Sequence, residues 1–587
     1  MAEYHAPVKD MLFTMTHLAG LNRINKLSGF EDATSDLVES VLEEAASLAS
    51  QVIAPINEIG DREGTQVKNG AVVVPAEFTV AYQQFIEGGW SGISQPEEIG
   101  GQGLPYLVGQ GVEEMWQSAS LAWSLCPLLT AGAARAIVDH GDEAVRALFV
   151  EKMVAGEWTG TMNLTESQAG SDLSVIRSSA VPDGDGYRIT GQKIFITWGD
   201  HEMTENVVHL VLARLAGAPE GVKGLSLFAV PKNLINADGS VGELNNVRPV
   251  SVEHKLGIHG SPTCVMSFEG SYGYLVGEEN LGLACMFTMM NHARLGVGLE
   301  GVAISERAYQ QALTYAQERV QGRKAGHQGS VPIIEHPDVR RMLMTMKSTI
   351  EAMRSLTYVV GAHLDEAHQG HDPDAQARLE LLTPVVKGWC TEWSQLLTSM
   401  GVQIHGGMGF VEETGAAQHL RDARITTIYE GTTGIQANDL VGRKILRDKG
   451  KALTALIADM QSTVSDLQGQ SDRLPVIAQA LASSVNELEL AAQWLVDHAG
   501  SDADVAGAVA FNFLMLMGTV TGGWQMARAA KIATELLDAG SEDRSFLEAK
   551  IISAQFYAEQ MLPLAGTYRA NVTAGADTIM ALDAGQF

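Results

Sequence analysis

The chain of 587 residues predicts a mainly α-helical protein with a central antiparallel β domain and an additional helical domain at its C-terminal end. Three observations carry that prediction. Apolar residues recur at helical spacing on both sides of a middle stretch. The middle stretch, about 160 to 280, is built of short β-rich runs bounded by Gly, Pro and Asn. A charged run, Arg447-Asp448-Lys449-Gly450-Lys451, then separates the second helical region from a helical tail. This length exceeds what one core supports. The expected division is an N-terminal extension 1–34, a helical domain 35–160, a β domain 161–280, a four-helix-bundle domain 281–450 and an extra helical domain 451–587.

Leu37, Val41, Leu42, Ala45 and Leu48 predict an amphipathic helix over about 35 to 55, which Pro55 ends. Helix resumes through Phe85 and over 111–155, broken by the turn-rich stretch 88–105. The segments 207–213 and 225–230 read as strands. The helical period returns over 283–365 and 374–401, in lengths suited to a bundle. In the tail Leu456, Met460, Val464 and Leu467 keep the period, followed by 481–496 and 512–537. No short repeat and no low-complexity tract interrupts this order.

With 45% hydrophobic residues and a mean hydropathy of +0.03, the composition is that of an ordinary globular protein. The net charge of −30 argues against a nucleic-acid or anionic-membrane partner, so an anionic ligand needs local cations. Residues 451–587 hold 7 Lys and Arg against 16 Asp and Glu, which also disfavours nucleic acid there. Cys126, Cys264, Cys285 and Cys390 are too few and too scattered for a disulfide framework or a zinc site and read as reduced packing residues; no metal is expected. The N-terminus lacks a basic n-region and a long apolar core, and the apolar stretch 11–21 is too short to cross a bilayer. A cytoplasmic location follows as the expectation.

The most informative residue is Glu430, in Arg421-Asp422-Ala423-Arg424-Ile425-Thr426-Thr427-Ile428-Tyr429-Glu430-Gly431-Thr432-Thr433-Gly434-Ile435-Gln436. A carboxylate among Tyr, Gly and β-branched apolar residues is poorly hydrated, and desolvation raises its pKa towards the range of a general base. Gly431 lets a ligand approach, and Thr432 and Thr433 offer hydroxyls.

This run resembles the catalytic segment of the acyl-CoA dehydrogenases, Tyr-Glu-Gly-Thr followed by Ile-Gln. The three-part order of helix, β domain and bundle is similar to that family's fold, and the last 120 or so residues resemble the extra C-terminal helical domain of a larger subgroup. The resemblance implies FAD as cofactor and Glu430 as the base that takes the α-proton of an acyl-CoA thioester. The residue before Arg294, where some members carry the base instead, is Ala293, which cannot take a proton.

Further motifs carry the resemblance. Leu164-Thr165-Glu166-Ser167-Gln168-Ala169-Gly170-Ser171-Asp172 is similar to the family's Thr-Glu-Pro-x-Ala-Gly-Ser-Asp loop, with Ser167 in place of proline. It implies Thr165 at the flavin pyrimidine and Ser171 by the pyrophosphate and the thioester. In Gly191-Gln192-Lys193-Ile194-Phe195-Ile196-Thr197, Phe195 stands where the family usually has tryptophan over a flavin face, and Thr197 where a threonine reaches N5. Gln403, Gly406 and Gly407, in Gln403-Ile404-His405-Gly406-Gly407-Met408-Gly409-Phe410, match residues that bind the adenosine side of FAD from a neighbouring subunit. Arg319 matches an arginine that crosses the same interface, and Gln321 a further FAD contact, so a homodimer is implied. Thr432 is expected at the cofactor, and Arg294 and Gly431 at the thioester. Trp116 and Trp123, read as lying on one helix, are candidates for limiting chain length.

What the resemblance implies is dehydrogenation of an acyl-CoA to the trans-2-enoyl-CoA, with 3-methylmercaptopropionyl-CoA as the best single substrate and an electron-transferring flavoprotein as acceptor. A general short-, medium- or long-chain fatty acyl-CoA dehydrogenase is the alternative. An acyl-CoA oxidase and a DNA-associated flavoprotein of the same fold are weaker ones.

Overall fold

The computed structural model describes residues 3–469, 473–499 and 503–587. Much of 3–34 packs into the core instead of forming a separate extension. Helix α1 (Val8–Phe13) and the turns after it bury Met11, Phe13, Met15, Leu18, Leu21 and Ile24. Helix α2 (Ser35–Leu48) starts at Thr34, whose hydroxyl accepts from the Leu37 N–H. Pro55 does not end the helical path. A π-helical turn, Ala49–Ile53, leads into α3 (Ala54–Glu63), where Pro55 sits in the first turn and its missing N–H costs little. Helices α4 (Ala76–Glu87), α5 (Tyr106–Ala119), α6 (Leu121–His140) and α7 (Glu143–Val154) complete this layer.

The middle of the chain forms β1 (Trp158–Asn163), β2 (Ser179–Asp183), β3 (Gly186–Thr197), β4 (Asn206–Leu215), β5 (Leu225–Pro231), β6 (Val247–Val252) and β7 (Thr263–Val276) in one sheet. Neighbours run β6-β7-β3-β2-β4-β1, and β5 pairs with both β4 and β7, so β7, β3, β2, β4 and β5 close a ring. The sheet is mixed, where an antiparallel one was expected: β1 runs parallel to β4 from Trp158/Asn206 to Asn163/Val211, and β2 is parallel to the end of β4. β5 is buried throughout and β4 along most of its length, because the ring covers one face and helices the other; their continuous apolar runs reflect that burial.

Three long helices follow, α8 (Gly282–Glu318), α9 (Pro337–His368) and α10 (Pro373–His405), then two short ones, α11 (Ala416–Ala423) and α12 (Thr433–Asp439), the last continued by a π-helical segment, Leu440–Leu446. The tail adds α13 (Lys451–Gln468), α14 (Leu474–His498), α15 (Ala503–Asp538), α16 (Arg544–Gln560) and α17 (Leu564–Thr573). One hydrophobic cluster runs unbroken from the bundle into this tail. At the junction a Cβ placed on Gly518 would lie 2.0 Å from Cγ of Trp389, so the absence of a side chain lets α15 press against α10. Two helical stretches, Leu121–His140 and Asp504–Asp538, are long and apolar enough to cross a membrane, yet their most apolar windows are 78% and 67% buried inside the protein, as core helices are. The four cysteines are free and buried.

Candidate active site

Glu430 lies between a 3-10 turn, Arg424–Thr427, and α12. Its φ of +55° is in the left-handed region, which a residue bearing a Cβ keeps only when its surroundings hold it there. Gln436 Nε2 donates to the Glu430 carbonyl at 3.0 Å, and Lys387 Nζ on α10 donates to the Gly431 carbonyl at 2.7 Å. The Thr432 hydroxyl caps α12 by accepting from the Ile435 N–H at 3.3 Å, and the Thr433 hydroxyl donates to Glu392 at 2.6 Å. The Tyr429 hydroxyl donates to Glu300 of α8. The turn is fixed from every neighbouring element.

Burial pushes the Glu430 carboxyl up to about 7, against the pull of Arg294 and then Lys387. Arg294, on α8, is 8% exposed and lies 3.8 Å from Asp439; its Nε has no hydrogen-bond partner among the described residues. Ala293 beside it is buried. Arg294 and Asp439 also line a cavity of about 600 Å³ enclosed by α5, α6, α8, α9 and α10. Trp90, Trp116 and Leu128 give it apolar walls and Glu113 a polar one. Burial raises the Glu113 carboxyl to about 7. Glu430 is not itself a wall residue; Arg294 is the group common to both. Trp116 and Trp123 do not share a helix, because α5 and α6 break at Ser120. Trp123 does not line the cavity itself; it packs behind the wall, against Tyr82 and the lining residue Phe85.

The second group of candidates sits on the sheet domain. Thr165 and Ser171 occupy the loop after β1, which therefore leaves a strand and not a helix. The Ile194 N–H donates to the Thr165 carbonyl at 2.9 Å, joining this loop to the end of β3 that carries Phe195 and Thr197. Phe195 has φ +59° and is 59% exposed, an aromatic face turned outward beside the Thr165 hydroxyl loop. The rigidity that proline would bring at Ser167 has another source. Glu166 and Ala169 exchange backbone hydrogen bonds at 3.0 and 2.9 Å, and the Glu166 carboxylate accepts from Lys193 Nζ at 2.9 Å, the Ser178 hydroxyl at 2.6 Å and two backbone N–H groups. Burial opposes its ionisation, but Lys193 and these donors hold it down at about 2. An open aromatic shelf flanked by hydroxyls on a braced loop fits a flavin ring.

The third group lies on the bundle. Gln403, Gly406 and Gly407 are exposed at the end of α10; Gly406 has φ +61°, and a Cβ at either glycine would meet nothing within 4 Å. Arg319 and Gln321 are exposed at the end of α8. Tyr315, one turn before Arg319, stacks on His405 with ring centroids 4.5 Å apart, which brings these two segments together. Open glycine backbone beside an exposed arginine fits a nucleotide phosphate.

Sequence reasoning missed Lys387, Glu300, Glu166 and Lys193. Lys387 is the one charged residue in the run Leu381–Cys390, which marks it as unusual but does not say what it touches. Gln436 was seen as part of a pattern, without its task of holding Glu430. That task is testable: a Cβ at Gly431 would lie 2.8 Å from Gln436 Nε2, at a φ of +88°. Gly431→Ala should displace the amide, strain the turn by about 1–2 kcal/mol and lower kcat by about 10- to 100-fold with flavin content unchanged, read by steady-state kinetics and absorbance.

Four family models match in order: acyl-CoA dehydrogenase N-terminal domain over 35–157, middle domain over 161–271, C-terminal domain over 280–445, and acetyl-CoA dehydrogenase C-terminal like over 456–583. The chain is 47% identical over 583 residues to a 3-methylmercaptopropionyl-CoA dehydrogenase of Ruegeria pomeroyi, covering 98% of this chain and 99% of that one. It is 35% identical over 616 residues to the broad-specificity linear acyl-CoA dehydrogenase FadE5 of Mycobacterium tuberculosis, covering all of both chains. The solved structure of Caenorhabditis elegans ACDH-11 in complex with C11-CoA superposes with a TM-score of 0.79 at 19% identity, covering 99% of this chain and 95% of that one, a likeness of fold.

Proposed function

The chain belongs to the acyl-CoA dehydrogenase family, and from that premise we propose that it oxidises 3-methylmercaptopropionyl-CoA with Glu430 as the base that removes the α-proton. Family membership makes it an FAD-dependent oxidoreductase acting on acyl-CoA thioesters. The observation that carries the choice of base is the clamped left-handed turn that displays Glu430 beside Arg294. The substrate rests on the 47% identity over the full length of both chains, extra C-terminal domain included.

A thioester carbonyl acidifies the adjacent C–H bond. A carboxylate that titrates near 7 is basic enough to take that proton and still ionised in part at neutral pH. The Glu430 N–H is assigned to the thioester oxygen, where negative charge develops. When bound, FAD supplies the acceptor for the hydrogen that leaves the β-carbon with its electron pair. The acyl group thus loses one proton and one hydride and becomes the trans-2-enoyl thioester.

Thr165, Ser171, Phe195, Thr197 and Thr432 would hold the flavin side of the cofactor, and Ser171, Arg294 and Gly431 the thioester. Gln403, Gly406, Gly407, Arg319 and Gln321 would hold the adenosine side of the cofactor of a second copy, which makes a homodimer the working unit. A cytoplasmic setting and delivery of electrons to an electron-transferring flavoprotein belong to the same reading. A broad linear acyl-CoA specificity is the second reading, favoured by the 35% identity to FadE5.

An anaerobic titration with a panel of acyl-CoAs, following loss of oxidised flavin absorbance, separates the two. Rapid bleaching by 3-methylmercaptopropionyl-CoA and short straight-chain thioesters is the expected result. Faster bleaching by long chains keeps the chemistry and overturns the substrate.

A further inference from the structure

Lys387 has no task in the mechanism above, yet its placement is costly. It is fully buried on α10, and among the described residues no carboxylate lies within ion-pair distance of its ammonium. The hydrogen bond it makes is to a neutral carbonyl, that of Gly431, at 2.7 Å. A buried ammonium without a paired carboxylate is expensive and is retained where the charge is used. The carbonyl it grips belongs to the residue after Glu430, so its tip reaches the turn that displays the base.

We propose that Lys387 is a positioning residue for proton abstraction: it fixes the Gly431 carbonyl and serves as the buried counter-charge that favours ionised Glu430. The inference rests on the reading of Glu430 as base. Three elements contribute the charged groups around this turn. From α8 come Arg294 and Glu300, which accepts from the Tyr429 hydroxyl; from α10 come Lys387 and Glu392; from α12 comes Asp439, 3.8 Å from Arg294. The charges acting on the Lys387 ammonium are, in order, Glu430, Glu300, Arg294 and Glu392, with burial the larger effect that brings it down to about 8. Burial raises Glu300 to about 8, above Glu430, so Glu430 is the carboxyl that ionises first beside Lys387 as pH rises. Removing a cation disfavours the carboxylate, so its loss should move ionisation of Glu430 to higher pH.

The test uses the holoenzyme and acetyl-CoA, whose acyl group has no β-carbon. Exchange of its methyl protons with solvent deuterium, read by mass spectrometry, reports proton removal alone. In the wild type, exchange should rise with pH through about 7. In Lys387→Met the midpoint should move up by about half a pH unit or more, lowering exchange near pH 6 by about 3-fold while the flavin spectrum is retained. Lys387→Arg, which keeps the charge, should restore the wild-type midpoint. If Lys387→Met loses its flavin, Lys387→Gln gives the same reading, because its amide still donates while the charge is gone. A folded, charge-free variant with an unmoved midpoint overturns the proposal. Exchange that survives in Glu430→Gln overturns the assignment of the base and the proposal with it, which distinguishes the two failures.

Discussion

Glu430→Gln is expected to lower kcat by about 10³-fold or more, with FAD still bound and KM little changed. The amide keeps the shape of the side chain, and the contacts that hold the turn involve the backbone carbonyls of Glu430 and Gly431, so the loss is one of basicity. A second effect follows from the same carboxyl. Its pKa in the folded protein, about 7, lies above the 4.5 of a free glutamate. Between those values the folded chain holds a proton that the unfolded chain has released. Its contribution to stability is present below about pH 4.5 and is lost as pH rises to 7. The glutamine variant has no such loss, so its melting temperature above pH 7 should equal or exceed that of the wild type. An inactive but no less stable variant is the signature of a base, and an inactive, unstable one would point to a structural role.

Arg354→Met should produce the largest loss of stability. The Arg354 side chain, 2% exposed on α9, joins three carboxylates: Glu114 of α5 through Nε at 2.9 Å and Nη2 at 2.6 Å, Glu306 of α8 at 2.9 Å, and Asp10 of α1 at 2.7 Å. Tyr358 adds a bond to Glu114 at 2.7 Å. Asp10 also meets Lys550 of α16, which lies 3.3 Å from Glu351. One buried network therefore ties the N-terminal segment, the helical layer, the bundle and the C-terminal domain together. Removing the guanidinium leaves the three carboxylates without their common partner, at a cost of about 3–5 kcal/mol. Arg354→Lys should rescue little, since one ammonium cannot replace a fork of donors. Thermal denaturation checks this, with the exposed Arg62→Ala as control, for which little change is expected.

The helices were legible because their apolar residues recur at helical spacing over lengths no strand reaches, even though stretches of the bundle helices, such as Ala293–Ala308 and Ser348–Ala362, are buried on every side. The mixed sheet was not. Parallel pairing of β1 with β4 joins residues about 48 apart, and nothing local distinguishes it from antiparallel pairing. The hairpins Gln66–Lys68 with Ala71–Val73 and Val320–Arg323 with Ser330–Pro332 were too short to announce themselves. Pro55 misled because proline both ends helices and begins them, and the π-helical turn before it leaves no local mark. At the site, Glu430, Arg294, Thr165 and Phe195 stand in contiguous motifs. Lys387 and Glu300 act across helices distant in sequence, so only the packing reveals them.

The most direct measurement is the single-turnover rate of flavin bleaching by 3-methylmercaptopropionyl-CoA, followed by anaerobic rapid mixing over about pH 5.5 to 8.5. The rate should rise with one ionisation near 7, level off above it, and vanish in Glu430→Gln. A rate that is flat across this range, or that persists in the glutamine variant, would contradict the assignment of Glu430 as the base.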